Sequence, residues 1–212
     1  MSKHVWALFE KGMTPSQVVK TGNFPKSTVY YSYKEWLRTR GGKLPPLNVF
    51  ISHSIEDINV AVRMHELLSF SGIGIHVAEF QPELGADLAG KIRRMIQNSH
   101  YVIALLTPSG LRSSFVNYEL GLADMLKKPI ISLVQKGAES ELPAFLKGRE
   151  YLSFDLNDSE YTIEWVVEYL NKIRQKKAEE QANAIAGLVG LLIVAIFGAA
   201  ILGMLLGGKK GK

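Results

Sequence analysis

The chain has 212 residues, a formal net charge of +5 and no cysteine, which excludes a disulfide framework and thiol chemistry. That length holds one domain of about 130 residues and two small attachments. The five histidines show no metal-ligand spacing, and neither an internal repeat nor a phosphate-cradling glycine loop is present.

Val5, Leu8 and Phe9 predict a short helix ending at Gly12. Thr14-Pro15 predicts the start of a second, with the hydroxyl as cap and proline at the first helical position, and Val18 and Val19 supply its apolar face. After a turn through Thr21-Gly22-Asn23, Ser27 is placed to cap a third helix whose Val29, Tyr33, Trp36 and Leu37 share one face. Residues 1–40 therefore resemble a helix-turn-helix unit, with Lys26-Ser27-Thr28-Val29-Tyr30 similar to the start of a recognition helix.

Eight lysines and arginines within residues 1–44 face only Glu10 and Glu35. This surplus suits DNA as a partner, with Lys26, Tyr30, Tyr31 and Lys34 reaching a groove; it also suits anionic lipid or a protein. About 40 residues is marginal for an independent core, so the segment is expected to dock on the following domain or on another copy. Residues 41–46, Gly-Gly-Lys-Leu-Pro-Pro, form a linker.

From residue 47 to about 180, strand-like and helix-like patterns alternate. Leu47–Ile51, Ile73–Val77, Tyr101–Leu106 and Ile130–Val134 are short, apolar and β-branched, and Tyr151–Phe154 is a weaker fifth run. Asp87 is placed to cap a helix marked by Leu88, Ile92, Met95 and Ile96. Another begins near Ser114, and a last one carries Ile163, Val166, Val167, Leu170 and Ile173 on one stripe. The alternation predicts an α/β fold: a doubly wound parallel five-stranded sheet over 47–180, flavodoxin-like in class. Within the helix at Ser114, Phe115 and Glu119 share a face that continues through Leu122 and Leu126. A carboxylate held on that face is partly desolvated, which marks Glu119 as a candidate for chemistry.

Residues 184–208 contain no charge and consist mostly of Ile, Leu, Val, Ala and Gly. As a helix they span about 37 Å, so they are expected to form a transmembrane helix. Met1–His4 lacks an apolar signal core, which leads to the expectation of a single-pass, tail-anchored membrane protein with its N-terminal domains cytoplasmic. Ala195, Ala199, Gly203 and Gly207 recur every fourth residue, a stripe that favours pairing of such helices.

Four segments carry a resemblance. Val49-Phe50-Ile51-Ser52-His53-Ser54-Ile55-Glu56-Asp57 resembles the first motif of prokaryotic Toll/interleukin-1 receptor (TIR) domains. Pro82–Leu88 resembles their loop after the second strand, and Ile96–Ser99 their entry to the third. Ser114–Glu119 is similar to the family's Ser-Trp-x-x-x-Glu, with Phe115 in the aromatic place. Phe for Trp keeps a stacking face and loses the indole donor.

The resemblance implies a sheet order of 2-1-3-4-5 and an enzyme that cleaves the nicotinamide–ribose bond of NAD, with NAD as substrate and no bound cofactor. Nicotinamide leaves as a neutral molecule, so no general acid is needed, and one carboxylate suffices to stabilise the oxocarbenium-like transition state. Glu119 is the expected catalytic residue. Ser52 and His53 are expected to contact the nucleotide and Phe115 to stack on a ring. The loop from Phe80 to Gly85 is expected to act as a lid or assembly surface. Water as acceptor gives ADP-ribose, and an adenine nitrogen of the same molecule as acceptor gives a cyclic product. The resemblance further implies self-association and a role in defence signalling. A non-catalytic TIR scaffold and a membrane-tethered DNA-binding regulator are the alternative readings.

Overall fold

In the computed structural model, residues 2–41, 44–78, 87–156 and 159–207 are described, with side chains for 3–39, 44–78, 87–156 and 159–184. Five parallel strands form the sheet: β1 (Asn48–Ser52), β2 (Gly74–Val77), β3 (Tyr101–Leu106), β4 (Ile130–Gln135) and β5 (Leu152–Phe154), in the order β2-β1-β3-β4-β5. The expected order therefore holds. β1 lies between β2 and β3, with Val49 paired to Ile75 on one side and Tyr101 on the other. Both sheet faces are covered, which is why these strands read as continuous apolar runs rather than alternating ones. Val49, Ile51, Ile103 and Leu105 point to one face, and Phe50, Val102, Ala104 and Leu106 to the other.

The second face packs against α5 (Leu88–Asn98) and α7 (Ser114–Met125). Asp87 caps α5 as expected, its Oδ1 accepting from the Gly90 amide at 2.8 Å. On the first face lie α4 (Ile58–Phe70) and the start of α8 (Ser159–Gly207), and here the N-terminal helices join the same core. These are α1 (Ser2–Glu10), α2 (Pro15–Lys20) and α3 (Lys26–Gly41).

Thr14 forms the expected cap of α2, in a reciprocal box with Gln17. α3 starts two residues earlier than a Ser27 cap implies, at Lys26, so Ser27 lies inside it. Tyr33 stacks on Trp36, and Phe9 meets the two rings edge-on and tilted, at centroid separations of 5.1–5.7 Å, in one core with Val18, Val29, Leu37, Met64, Leu67, Ile163 and Val166. The expected docking onto the following domain is thus a shared core.

That docking consumes the face assigned to DNA. Tyr30 is 8% exposed and its hydroxyl donates to Glu164 Oε1 at 2.8 Å. Lys34 bridges to Glu66 at 3.6 Å and lies over the Phe70 ring. The helix-turn-helix and DNA readings gain no support, because two of the four residues meant to reach a groove are turned onto α4 and α8.

The membrane expectation is overturned. No helix among the described residues is long and apolar enough to cross a membrane. Over residues 159–184, α8 is amphipathic: it buries Ile163, Val166, Val167 and Leu170 while Tyr161, Trp165 and Lys172 face outward. From residue 185 on, the side chains of the 184–208 segment, and with them the Ala195–Gly207 stripe, lie outside the described ones. Arg174, ten residues before that segment, is 1% exposed. Its guanidinium donates to the carbonyls of Pro45 and Ser71 at 2.8 and 2.7 Å, fastening the linker and the end of α4 to α8.

Candidate active site

In a parallel sheet of this order, the crevice opens beyond the carboxyl ends of β1 and β3, the neighbours at which the connections change direction. β1 ends at Ser52 and runs into His53 and Ser54; β3 ends at Leu106 and runs into Thr107. From there α6 (Pro108–Arg112) leads to α7, whose start is fixed by the Ser113 hydroxyl accepting from the Val116 amide at 3.3 Å. One and a half turns into α7, Glu119 is delivered to the tip of β1.

Glu119 is 1% exposed, and its Oε2 accepts from the Ser52 hydroxyl at 2.5 Å. Oε1 is buried with no hydrogen-bond partner among the described residues. Burial raises the carboxyl pKa from its ordinary 4.5 to about 7, and the Ser52 hydrogen bond opposes that rise by favouring the ionised form. An ionised carboxylate in so poorly solvated a place strongly stabilises a positive charge brought to Oε1.

Ser52 and His53 are 0% and 2% exposed, so neither presents surface to a ligand here. Ser52 is spent on Glu119, and His53 Nδ1 lies 2.7 Å from the Ser54 carbonyl oxygen. Phe115 is 45% exposed at the mouth of the crevice, one helical turn from Glu119. Phe80 and Gly85 lie outside the described residues.

Three residues not assigned to the site from sequence hold it together. Asp57 Oδ2 accepts from Ser54 Oγ at 2.7 Å and from Thr107 Oγ1 at 2.8 Å, all three side chains being buried. Thr107 Oγ1 also accepts from the Gly110 amide at 2.9 Å, capping α6. A Cβ on Gly110 would overlap the Leu105 carbonyl oxygen, so only glycine lets α6 lie this close to β3. The signal available in the sequence was a Ser and an Asp three apart after one strand, and a Thr directly after another.

A cleft of about 380 Å³ opens between the 3-10 turn Ile55–Asp57 and the α6–α7 junction, with Glu56, Ser109, Arg112, Ser113, Ser114 and Phe115 in its walls. A larger groove of about 710 Å³ sits at the opposite end of the sheet, against Tyr151, Trp165 and Tyr169, and includes none of the residues expected from sequence.

A family model described as TIR domain matches residues 49–170. The 2' cyclic ADP-D-ribose synthase BtTIR of Bacteroides thetaiotaomicron is 27% identical over 169 residues, 74% of this chain and 51% of that protein. The 2' cyclic ADP-D-ribose synthase AbTIR of Acinetobacter baumannii is 34% identical over 77 residues, 36% of this chain and 29% of that protein. The chain thus spans about half, or less, of the length of these relatives. Among solved structures, the TIR domain of the Toll-related receptor TRR-2 from Hydra magnipapillata superposes with a TM-score of 0.47 at 22% identity, over 58% of this chain and 95% of that one.

Proposed function

The chain belongs to the TIR domain family, and from that premise we propose that it cleaves the nicotinamide–ribose bond of NAD in the crevice beyond β1 and β3, with Glu119 as the catalytic carboxylate. The observation that carries this reading is the buried Glu119 with one oxygen held by Ser52 and the other without a hydrogen-bond partner among the described residues.

The pyridinium ring already bears the positive charge that its departure neutralises. As the C–N bond breaks, its electron pair stays with nicotinamide and positive charge moves onto the ribose. Glu119, ionised above about pH 7, stabilises that charge through Oε1 while Ser52 fixes the orientation of Oε2. Phe115 offers a ring face at the entrance. Water as acceptor yields ADP-ribose and a proton. The names of the two relatives favour an acceptor within the same molecule, and hence a cyclic ADP-ribose.

Because Glu119 has almost no exposed surface in the single chain, activation on self-association belongs to the same proposal, as does a signalling role for the product. The test is nicotinamide release from NAD across a range of chain concentrations, with Glu119→Gln beside the unaltered protein and the nucleotide product identified by chromatography. Absence of release at every concentration, or full release by the variant, defeats the proposal.

A further inference from the structure

We propose that Arg112 is the diphosphate-binding residue of this crevice, gripping the phosphates of a dinucleotide whose ribose reaches Glu119. The assignment rests on reading the crevice as a nucleotide site. Arg112 is the last residue of α6, whose placement is rigid: Thr107 caps it and Gly110 packs it directly on β3. The guanidinium is therefore presented by a fixed helix end rather than by a free loop. Arg38, Arg63 and Arg149 are spent on carboxylates at 2.7–2.9 Å; Arg112 is exposed and forms no ion pair among the described residues, as is true of Arg93 and Arg94 on α5, but of these three only Arg112 lines the cleft.

The surroundings match the ligand. Ser109, Ser113, Ser114 and Phe115 line the same cleft, while Glu119 is buried outside that lining, four residues beyond Phe115 on α7. Arginine suits this task because its planar fork meets two phosphate oxygens at once. Among the described residues, Glu56 is the other charged side chain in the wall. It opposes an anion, so the two charges make predictions of opposite sign.

The experiment is calorimetric titration of the full chain with ADP-ribose and with adenosine, for the unaltered protein and for Arg112→Ala, Arg112→Lys and Glu56→Gln. Arg112→Ala is expected to weaken ADP-ribose binding about ten- to a hundredfold, with Arg112→Lys intermediate, Glu56→Gln tighter than unaltered, and adenosine unchanged throughout. In turnover, Arg112→Ala should raise KM for NAD while kcat, and KM for nicotinamide riboside, stay put. Equal ADP-ribose affinity in Arg112→Ala, an equal loss for adenosine, or no ADP-ribose binding by the unaltered chain overturns the assignment. Arg112-dependent ADP-ribose binding without any turnover would uphold it and defeat only the catalytic reading.

Discussion

Ser54 and Thr107 donate to one and the same oxygen, Asp57 Oδ2, from the carboxyl ends of neighbouring strands, at 2.7 and 2.8 Å. The crevice is thereby cross-braced at its base. Thr107→Val keeps the side-chain shape, leaves Asp57 with one hydroxyl donor fewer and uncaps α6. Losing a buried hydrogen bond to a carboxylate costs about 1.5–3 kcal/mol, and the freed α6 no longer sets the start of α7. Urea unfolding should show that loss, and kcat for nicotinamide release should drop by more than the unfolded fraction explains. Thr107→Ser should restore both, and a valine variant as active as the parent would remove the brace from the mechanism.

The raised Glu119 carboxyl makes stability depend on pH in a definite direction. Its folded pKa of about 7 stands above the ordinary 4.5, so between those values the folded chain holds a proton that the unfolded chain releases. Stability therefore falls as pH rises through that window, by about 3 kcal/mol in total. Glu119→Gln removes the titrating group. The variant should match the parent near pH 4.5 and exceed it at pH 8, measured by urea midpoints. Parallel pH profiles would show that Glu119 ionises in the folded chain as easily as in the unfolded one.

Catalysis should follow the opposite limb of the same titration. The ionised carboxylate is the useful form, so nicotinamide release is expected to rise with pH through about 7. Ser52 favours that ionised form through its hydrogen bond. Ser52→Ala should therefore move the rise to higher pH and lower kcat at pH 7, with recovery at alkaline pH. An unmoved profile would separate Ser52 from Glu119.

How much of this was legible in the sequence follows from the range of the forces involved. Strand periods, the Asp87 and Thr14 caps, and the alternation that fixes a parallel sheet are local, and they were readable. Glu119 was legible because a carboxylate on an apolar helical face is locally anomalous. The Asp57–Thr107 bond joins residues 50 apart in sequence, and nothing in either neighbourhood announces it. Tyr30 and Lys34 read as groove-facing from the basic surplus around them, yet α4 and α8 claimed that face. Nothing local sets Arg174 apart from Lys172 and Lys176 beside it, and only the carbonyls of Pro45 and Ser71 reveal it as a buried fastener.

The shared core gives the last prediction. Trp36 is 3% exposed among Phe9, Tyr33 and the face of α4 and α8, and Tyr30 and Ser16 both donate to the fully buried Glu164 on α8. The N-terminal helices therefore stabilise the sheet domain instead of riding on it. Trp36→Ala should cost about 3–5 kcal/mol, and tryptophan fluorescence and far-ultraviolet circular dichroism should report one coincident unfolding transition in parent and variant alike. Removing residues 1–43 would strip the cover from Met64, Leu67 and Val166 and leave Glu164 without its donors, so the shortened chain should aggregate or unfold. A shortened chain that folds with undiminished stability would show that the N-terminal segment is an independent unit after all, and would reopen the question of what its basic surface binds.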